Sequence, residues 1–148
     1  MIYIASDHAG FSLKNTLYNH LKEQGLEVDD CGAHKFDKDD DYPDFIYPCA
    51  QKVALDSSGR GIVIGFSGQG EAITANKVKG VRAVLYYGGN TEIIKLSRQH
   101  NNANVLSLGA GFISVDEAKQ AVDLWLKTAF EGGRHERRIE KIKNLENN

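Results

Sequence analysis

The chain has 148 residues, 41% of them hydrophobic, and a formal net charge of −2. That length buries one core and predicts a single domain over residues 1–148, while the near-neutral charge offers nothing to nucleic acid or an acidic membrane surface. Cys31 and Cys49 fit neither a CxxC site nor a disulfide framework, no apolar run approaches membrane-spanning length, and Ile2–Ala5 is too short for a secretion signal, so a reduced, soluble, cytoplasmic protein is expected.

Short apolar runs alternate with longer amphipathic ones. Ile2–Ala5 reads as a first strand, followed by a helix over Phe11–Gln24 with Phe11, Leu13, Leu17 and Leu21 at helical spacing and Gly25 ending it. Leu26–Asp30 is a weak second strand, and the acidic Phe36–Asp41 a loop closed by Pro43, a residue suited to a first helical turn. A second helix is predicted over Phe45–Leu55 and a third strand over Ile62–Gly65. A helix through Ala72, Ile73, Ala75, Asn76 and Val78 comes next, then a strand over Val81–Tyr86, a helix over Thr91–Gln99 and a strand over Asn104–Leu108. Ser114-Val115-Asp116-Glu117 is a capping-box pattern before a helix carrying Ala118, Val122, Trp125 and Leu126. Arg134–Leu145 forms one more charged helix outside the main body.

This alternation predicts an α/β domain, a parallel sheet with helices on both faces. Ligands of such sheets collect beyond the carboxyl ends of the strands, where strand order reverses. Three segments that follow strands, Ser6–Gly10, Gly65–Gly70 and Tyr86–Asn90, are therefore candidates for one shared cleft.

The most informative stretch is Gly61–Lys77, GIVIGFSGQGEAITANK. A strand, a turn with Gly65, Gly68 and Gly70, and a helix start leave several backbone N–H groups facing one small volume, which suits an anion or a developing oxyanion. Glu71 stands at the mouth of the same turn. A carboxylate there repels a phosphate but is placed to take a proton from a substrate whose oxygen the amides hold. The helix dipole would hold its pKa down and burial in a cleft would push it up; a general base needs burial to win.

Other candidates have structural readings beside functional ones. Asp7 and His8 follow the first strand, where a cap needs polar residues in any case. His100 and Asn101 follow a helix and can simply end it. Tyr42 can be a loop aromatic, and Arg134, His135, Arg137 and Arg138 a solvated basic face. Arg134 and Arg138, four apart, nevertheless share a helix face and can grip one phosphate.

Taken together, Ser6-Asp7-His8-Ala9-Gly10, Asp41-Tyr42-Pro43-Asp44, Ser67-Gly68-x-Gly70 leading to Ala75-Asn76-Lys77, and Val81-Arg82-Ala83 resemble ribose-5-phosphate isomerase B and its relatives, among them the galactose-6-phosphate isomerase subunits. His100-Asn101-x-x-Asn104-Val105-Leu106-x-Leu108-Gly109 and Phe130-Glu131-Gly132-Gly133-Arg134-His135-x-x-Arg138 extend the match nearly end to end. The resemblance implies a three-layer Rossmann-like sheet and a homodimer or tetramer with active sites built from two chains, the C-terminal helix extending to the partner. It also implies aldose–ketose isomerisation through an enediolate without metal or organic cofactor. Carried over, His100 with Asp7 opens the sugar ring. Ser67 and the amides through Gly70, including Gly68, hold the enediolate oxygen, assisted by Asn101 of the second chain. His8, Arg134 and Arg138 bind the phosphate and Tyr42 lines the sugar pocket.

Two positions depart from the family pattern. Where many members carry a cysteine base after the third strand, this chain has Gly65, with Glu71 at the place a smaller branch uses for a glutamate base. Where many carry a phosphate-binding arginine after Leu108-Gly109-Ala110, it has Gly111, a loss that Arg137 or Lys77 would have to offset. The resulting expectation is an isomerase of ribose and ribulose 5-phosphates, as in the non-oxidative pentose phosphate route, with Glu71 as base. The alternatives are an isomerase of a six-carbon sugar phosphate (allose or galactose 6-phosphate) and a non-catalytic sugar-phosphate-binding subunit. A phospho-receiver domain needs an aspartate where Gly65 stands, and a flavodoxin a hydroxyl-rich loop that Ser6–Gly10 is not.

Overall fold

Short runs rich in Ile, Val and Leu become five parallel strands in the computed structural model, which describes residues 1–148: β1 (Ile2–Ser6), β2 (Val28–Asp30), β3 (Arg60–Gly65), β4 (Ala83–Tyr86) and β5 (Val105–Gly109), in the order β2-β1-β3-β5-β4. Between and after them run α1 (Phe11–Glu23), α2 (Pro43–Leu55), α3 (Gln69–Ala75), α4 (Glu92–Gln99), α5 (Val115–Lys127) and α6 (Arg134–Glu146). Alternate strand residues point to opposite faces. Ile2, Ile4, Ile62, Ile64, Leu106 and Leu108 meet Leu13, Leu17 and Leu21 of α1, Ile94 of α4 and Trp125 of α5. Ala5, Val63 and Val105 meet Ile46, Cys49 and Val53 of α2 and Ala75 of α3. Each large side chain removed from water contributes roughly 1.5–3 kcal/mol, and a sheet covered on both faces in this way can be wholly parallel. The result is a three-layer, Rossmann-like α/β domain. α6 belongs to neither helical layer: it buries His135 and Ile139 while Ile142 and Leu145 stay exposed.

The register sets the site. Ser6 lies opposite Ile64, and Gly65 opposite Gly109, so β1, β3 and β5 end nearly level. The connections reverse direction between β1 and β3, which opens the crevice of an open α/β sheet at that point. Segments Ser6–Gly10 and Gly65–Gly70 border it. Tyr86–Asn90 continues from β4, which lies beyond β5, and reaches the same end of the sheet over Gly109, where Tyr87 Cβ and Ser67 O flank one spot.

Several element boundaries also differ from expectation. The second helix starts at Pro43, and a single 3-10 turn over His8–Gly10 precedes α1. α1 closes when the Leu26 amide turns back to the Leu21 carbonyl, so β2 begins only at Val28. The third helix stops at Ala75: Asn76 caps it, and its amide bridges both the N–H and the C=O of Ala83. Val81 and Arg82 lie outside β4 because the Arg82 amide donates to the Asn104 side chain rather than to a strand. The expected capping box is present, Ser114 Oγ accepting from the Glu117 amide and the Glu117 carboxylate from the Ser114 amide.

Candidate active site

β3 runs into the glycine turn, and Gly68, at φ +78°, takes the left-handed conformation that lets the chain turn sharply into α3. Its carbonyl accepts the buried Ser107 hydroxyl of β5 at 2.6 Å, which fixes the turn to the sheet. Ala72 is the first residue whose amide bonds back along the helix, to Gly68, so the amides before it have no helical partner, Glu71's lying against its own carboxylate. Ser67 Oγ accepts from the Gln69 amide at 3.3 Å, leaving its own hydrogen free to donate toward an oxyanion.

Glu71 folds back from this turn and is 4% exposed. Its carboxylate fills the space above Gly65: a Cβ at residue 65 would overlap it. Gly65 and Glu71 are therefore one arrangement, because the absence of a side chain at 65 makes room for the acid at 71. Burial pushes the Glu71 pKa up, its own backbone amide works against the shift, and the negative charge of nearby Asp7 adds to it. The net shift is upward, the direction that burial was expected to drive.

Asp7 is buried at the end of β1 and caps the 3-10 turn, accepting from the Ala9 and Gly10 amides at 3.0 and 3.4 Å. Its capping reading is thus realised, in a place where its charge also reaches Glu71. His8 turns outward, and its Nδ1 lies 2.6 Å from Asp40 Oδ1, which also accepts the His8 amide. That hydrogen bond raises the His8 pKa and leaves Nε2 to face a ligand. Tyr42, just before α2, lays its ring against Gly70 of the turn.

The remaining predicted residues lie elsewhere. His100 and Asn101 are in the connection from α4 into β5, at the edge where strands begin. They are separated from the site turns by the length of β5, roughly 13 Å at 3.3 Å per residue. His100 stacks on His135 at the start of α6, centroids 4.1 Å apart, and Arg134 and Arg138 project from the same helix, exposed and in no ion pair. One chain therefore brings together Asp7, His8, Tyr42, Ser67, Gly68, Gly70 and Glu71, and does not bring His100, Asn101, Arg134 or Arg138 to them.

Two clusters hold three potential metal donors within 4.8 Å, namely Asp7, His8 and Asp40, and His100, Glu131 and His135. In the first, Asp7 and Asp40 each already commit an oxygen to the chain's own N–H groups. In the second, the rings lie nearly parallel, at 14°, so their in-plane lone pairs do not converge. Sequence reasoning missed Asp40, which nothing distinguishes among the acids of residues 37–41. It also missed Phe66, whose ring occupies the space a side chain at Gly111 would need and packs on exposed Phe112 at 5.5 Å.

The comparisons agree with this architecture. The family model described as Ribose/Galactose Isomerase matches residues 2–142. A probable ribose-5-phosphate isomerase B of Mycoplasma genitalium is 49% identical over 142 residues, covering 95% of this chain and 92% of its own. Ribose-5-phosphate isomerase B of Mycolicibacterium paratuberculosis is 42% identical over 146 residues, covering 98% and 91%. Among solved structures, ribose-5-phosphate isomerase B of Mycoplasma genitalium with bound ribulose-5-phosphate superposes with a TM-score of 0.94 at 47% identity, over 99% of this chain and 95% of that one. With a crevice at the β1/β3 reversal and a match from end to end, this chain belongs to the ribose/galactose isomerase family.

Proposed function

We infer that this chain is an aldose–ketose isomerase that interconverts ribose 5-phosphate and ribulose 5-phosphate. The observation that carries the reading is the Glu71 carboxylate, buried over Gly65 at the mouth of an amide-lined turn with its pKa raised. A relative at 47% identity holds ribulose-5-phosphate, the ketose of this pair.

In the open-chain aldose, Glu71 takes the C2 proton and the electron pair moves onto the C1 oxygen. The turn amides and the Ser67 hydroxyl stabilise the enediolate. A proton passes from the C2 oxygen to the C1 oxygen, and Glu71 returns its proton to C1, giving the ketose. No redox partner is needed, because C1 is reduced as C2 is oxidised. His8, its pKa raised by the Asp40 hydrogen bond at Nδ1, presents Nε2 to the phosphate, and Tyr42 walls the sugar. Ring opening by His100 with Asp7, assistance from Asn101 and the phosphate grip of Arg134 and Arg138 require a second copy of the chain. We place the active form as a homodimer or a dimer of dimers in the cytoplasm, each site taking Glu71 and Asp7 from one chain and His100, Asn101, Arg134 and Arg138 from the other. The separation of the two sets within one chain supports this.

Solvent-deuterium exchange into ribose 5-phosphate tests the reading. Wild type is expected to place deuterium at C2 of the aldose, and Glu71→Gln to bind the sugar phosphate without exchange. Exchange by both proteins would move the base elsewhere, and exchange by neither would favour the binding-subunit reading. Phe66 over Gly111 puts an aromatic ring where many relatives have an arginine, which makes a six-carbon substrate the second reading. Comparing kcat/KM for ribose, allose and galactose phosphates decides between the two.

A further inference from the structure

Arg98 is 3% exposed and Arg82 half-buried, yet neither has a carboxylate partner. Burial without a counter-ion pulls the Arg98 pKa down to about 10, so it is still charged at neutral pH. A buried guanidinium must have its donors satisfied, and here they are satisfied by main-chain carbonyls. Arg98 Nη1 donates to Ala103 O at 2.6 Å and to Asn102 Oδ1 at 2.9 Å, and Nε donates to Thr128 O at 3.1 Å. From the other side, Arg82 Nε donates to Asn101 O and Asn102 O, both at 3.1 Å, and Nη2 to Asn102 O at 2.9 Å.

Apart from Thr128 O and Gly80 O, the latter accepting from Arg82 Nη1 at 3.4 Å, the acceptors lie in residues 101–103, the turn that carries His100 and Asn101. The turn is held in an uncommon shape, with Asn102 at φ +45°. Thr128 lies outside it, just past α5, in the segment that leads to α6 with Arg134 and Arg138. Two more links join the same segments: the Glu131 amide donates to Gln99 O at 3.1 Å, and His100 stacks on His135. Val81-Arg82-Ala83, which the chemistry left without a task, thereby gains one.

We propose that Arg98, braced by Arg82, is a positioning residue that locks the His100–Asn101 turn to the α5–α6 segment, so that these residues, Arg134 and Arg138 reach the neighbouring chain's site as one rigid unit. The proposal rests on the two-chain reading of the site. Arg98→Lys keeps a charge but loses the planar fork that binds two segments at once. A shift of about 1 Å in the presented groups costs about 100-fold in rate, so a loss of that size in kcat/KM is expected with a folded, dimeric protein.

A complementation measurement separates positioning from general destabilisation. Each variant is co-expressed with Glu71→Gln, and the dimers are assayed. Hybrid dimers then hold one site with an intact base and an intact presented set. Random pairing in a two-fold dimer predicts recovery of about a quarter of wild-type activity. His100→Ala with Glu71→Gln is the control pair. Recovery in both mixtures supports the proposal. Recovery with His100→Ala but not with folded Arg98→Lys overturns it, because Arg98 then serves its own chain's base or the fold at large. Full activity of Arg98→Lys alone also overturns it. Failure of the control pair overturns the two-chain reading, and the proposal with it, while activity of Glu71→Gln alone instead removes the base assignment. Should Arg98→Lys not fold, Asn102→Gly removes one acceptor while keeping the turn's backbone shape; wild-type activity in that variant overturns the proposal.

Discussion

At the carboxyl ends of β1 and β3 the charged groups are buried or paired: Glu71 lies over Gly65, Asp7 holds two amides, and His8 is bonded to Asp40. At the opposite edge of the sheet Arg134 and Arg138 are exposed and unpaired, and the groups that are satisfied, Arg82 and Arg98, bind only carbonyl and amide oxygens. The first region tunes proton affinity, which needs low dielectric and close neighbours. The second keeps cations free and fixes only the backbone beneath them, as suits groups that meet a ligand brought by another molecule. On the two-chain reading proposed above, the first set completes its chemistry within one chain and the second is presented outward.

Glu71→Gln should have the largest effect, lowering kcat by about 10³-fold, within the usual span for a general base, with sugar-phosphate affinity kept. Single-turnover assays alongside equilibrium binding measure both. Gly65→Ala should come next: the new Cβ displaces the carboxylate, for a loss of about 100-fold in kcat and about 1–3 kcal/mol of overpacking in a denaturant titration. An unchanged kcat would show that Glu71 need not occupy that space.

Arg138→Ala should raise KM with little change in kcat, by the roughly 1.5–3 kcal/mol of a charged hydrogen bond. Tm should stay at the wild-type value, because the side chain is exposed. A fall in Tm instead would mean that the presented region is part of the fold after all.

The pH effects are smaller. kcat/KM should rise with pH as Glu71 ionises, through a pKa above the ordinary carboxylate range, and fall as His8 loses its proton above the ordinary imidazole value. Asp40→Asn should move the falling limb to lower pH. A carboxyl whose folded-state pKa exceeds its unfolded value favours the folded state at low pH and opposes it once pH has risen through both values. Glu71→Gln should therefore raise Tm at neutral pH, with the gain vanishing as pH falls through the raised pKa toward the ordinary carboxylate range. An inactive yet more stable variant would place the cost of the buried charge at the site itself.

The elements were legible where local signals agree. Ile62–Gly65 is an apolar run bounded by glycines, and Ser114 to Glu117 is a capping box, so strand and helix start follow from nearby residues alone. Boundaries failed where a distant side chain intervened. Asn76 bridges Ala83 and Asn104 takes the Arg82 amide, so α3 stops early and β4 starts late. Asp40 was illegible for the same reason, since its role depends on His8, thirty-two residues before it.

The sequence by itself determined the α/β fold class, its family, and an acid beside an amide turn, because periodicity, turn glycines and motif spacing are local properties of a chain. Only the tertiary structure decided that β5 separates β3 from β4, that burial raises the Glu71 pKa, and that His100 and Arg138 lie away from the base. Strand order, desolvation and the direction a side chain faces depend on groups far apart in the chain, and no window of sequence contains them together.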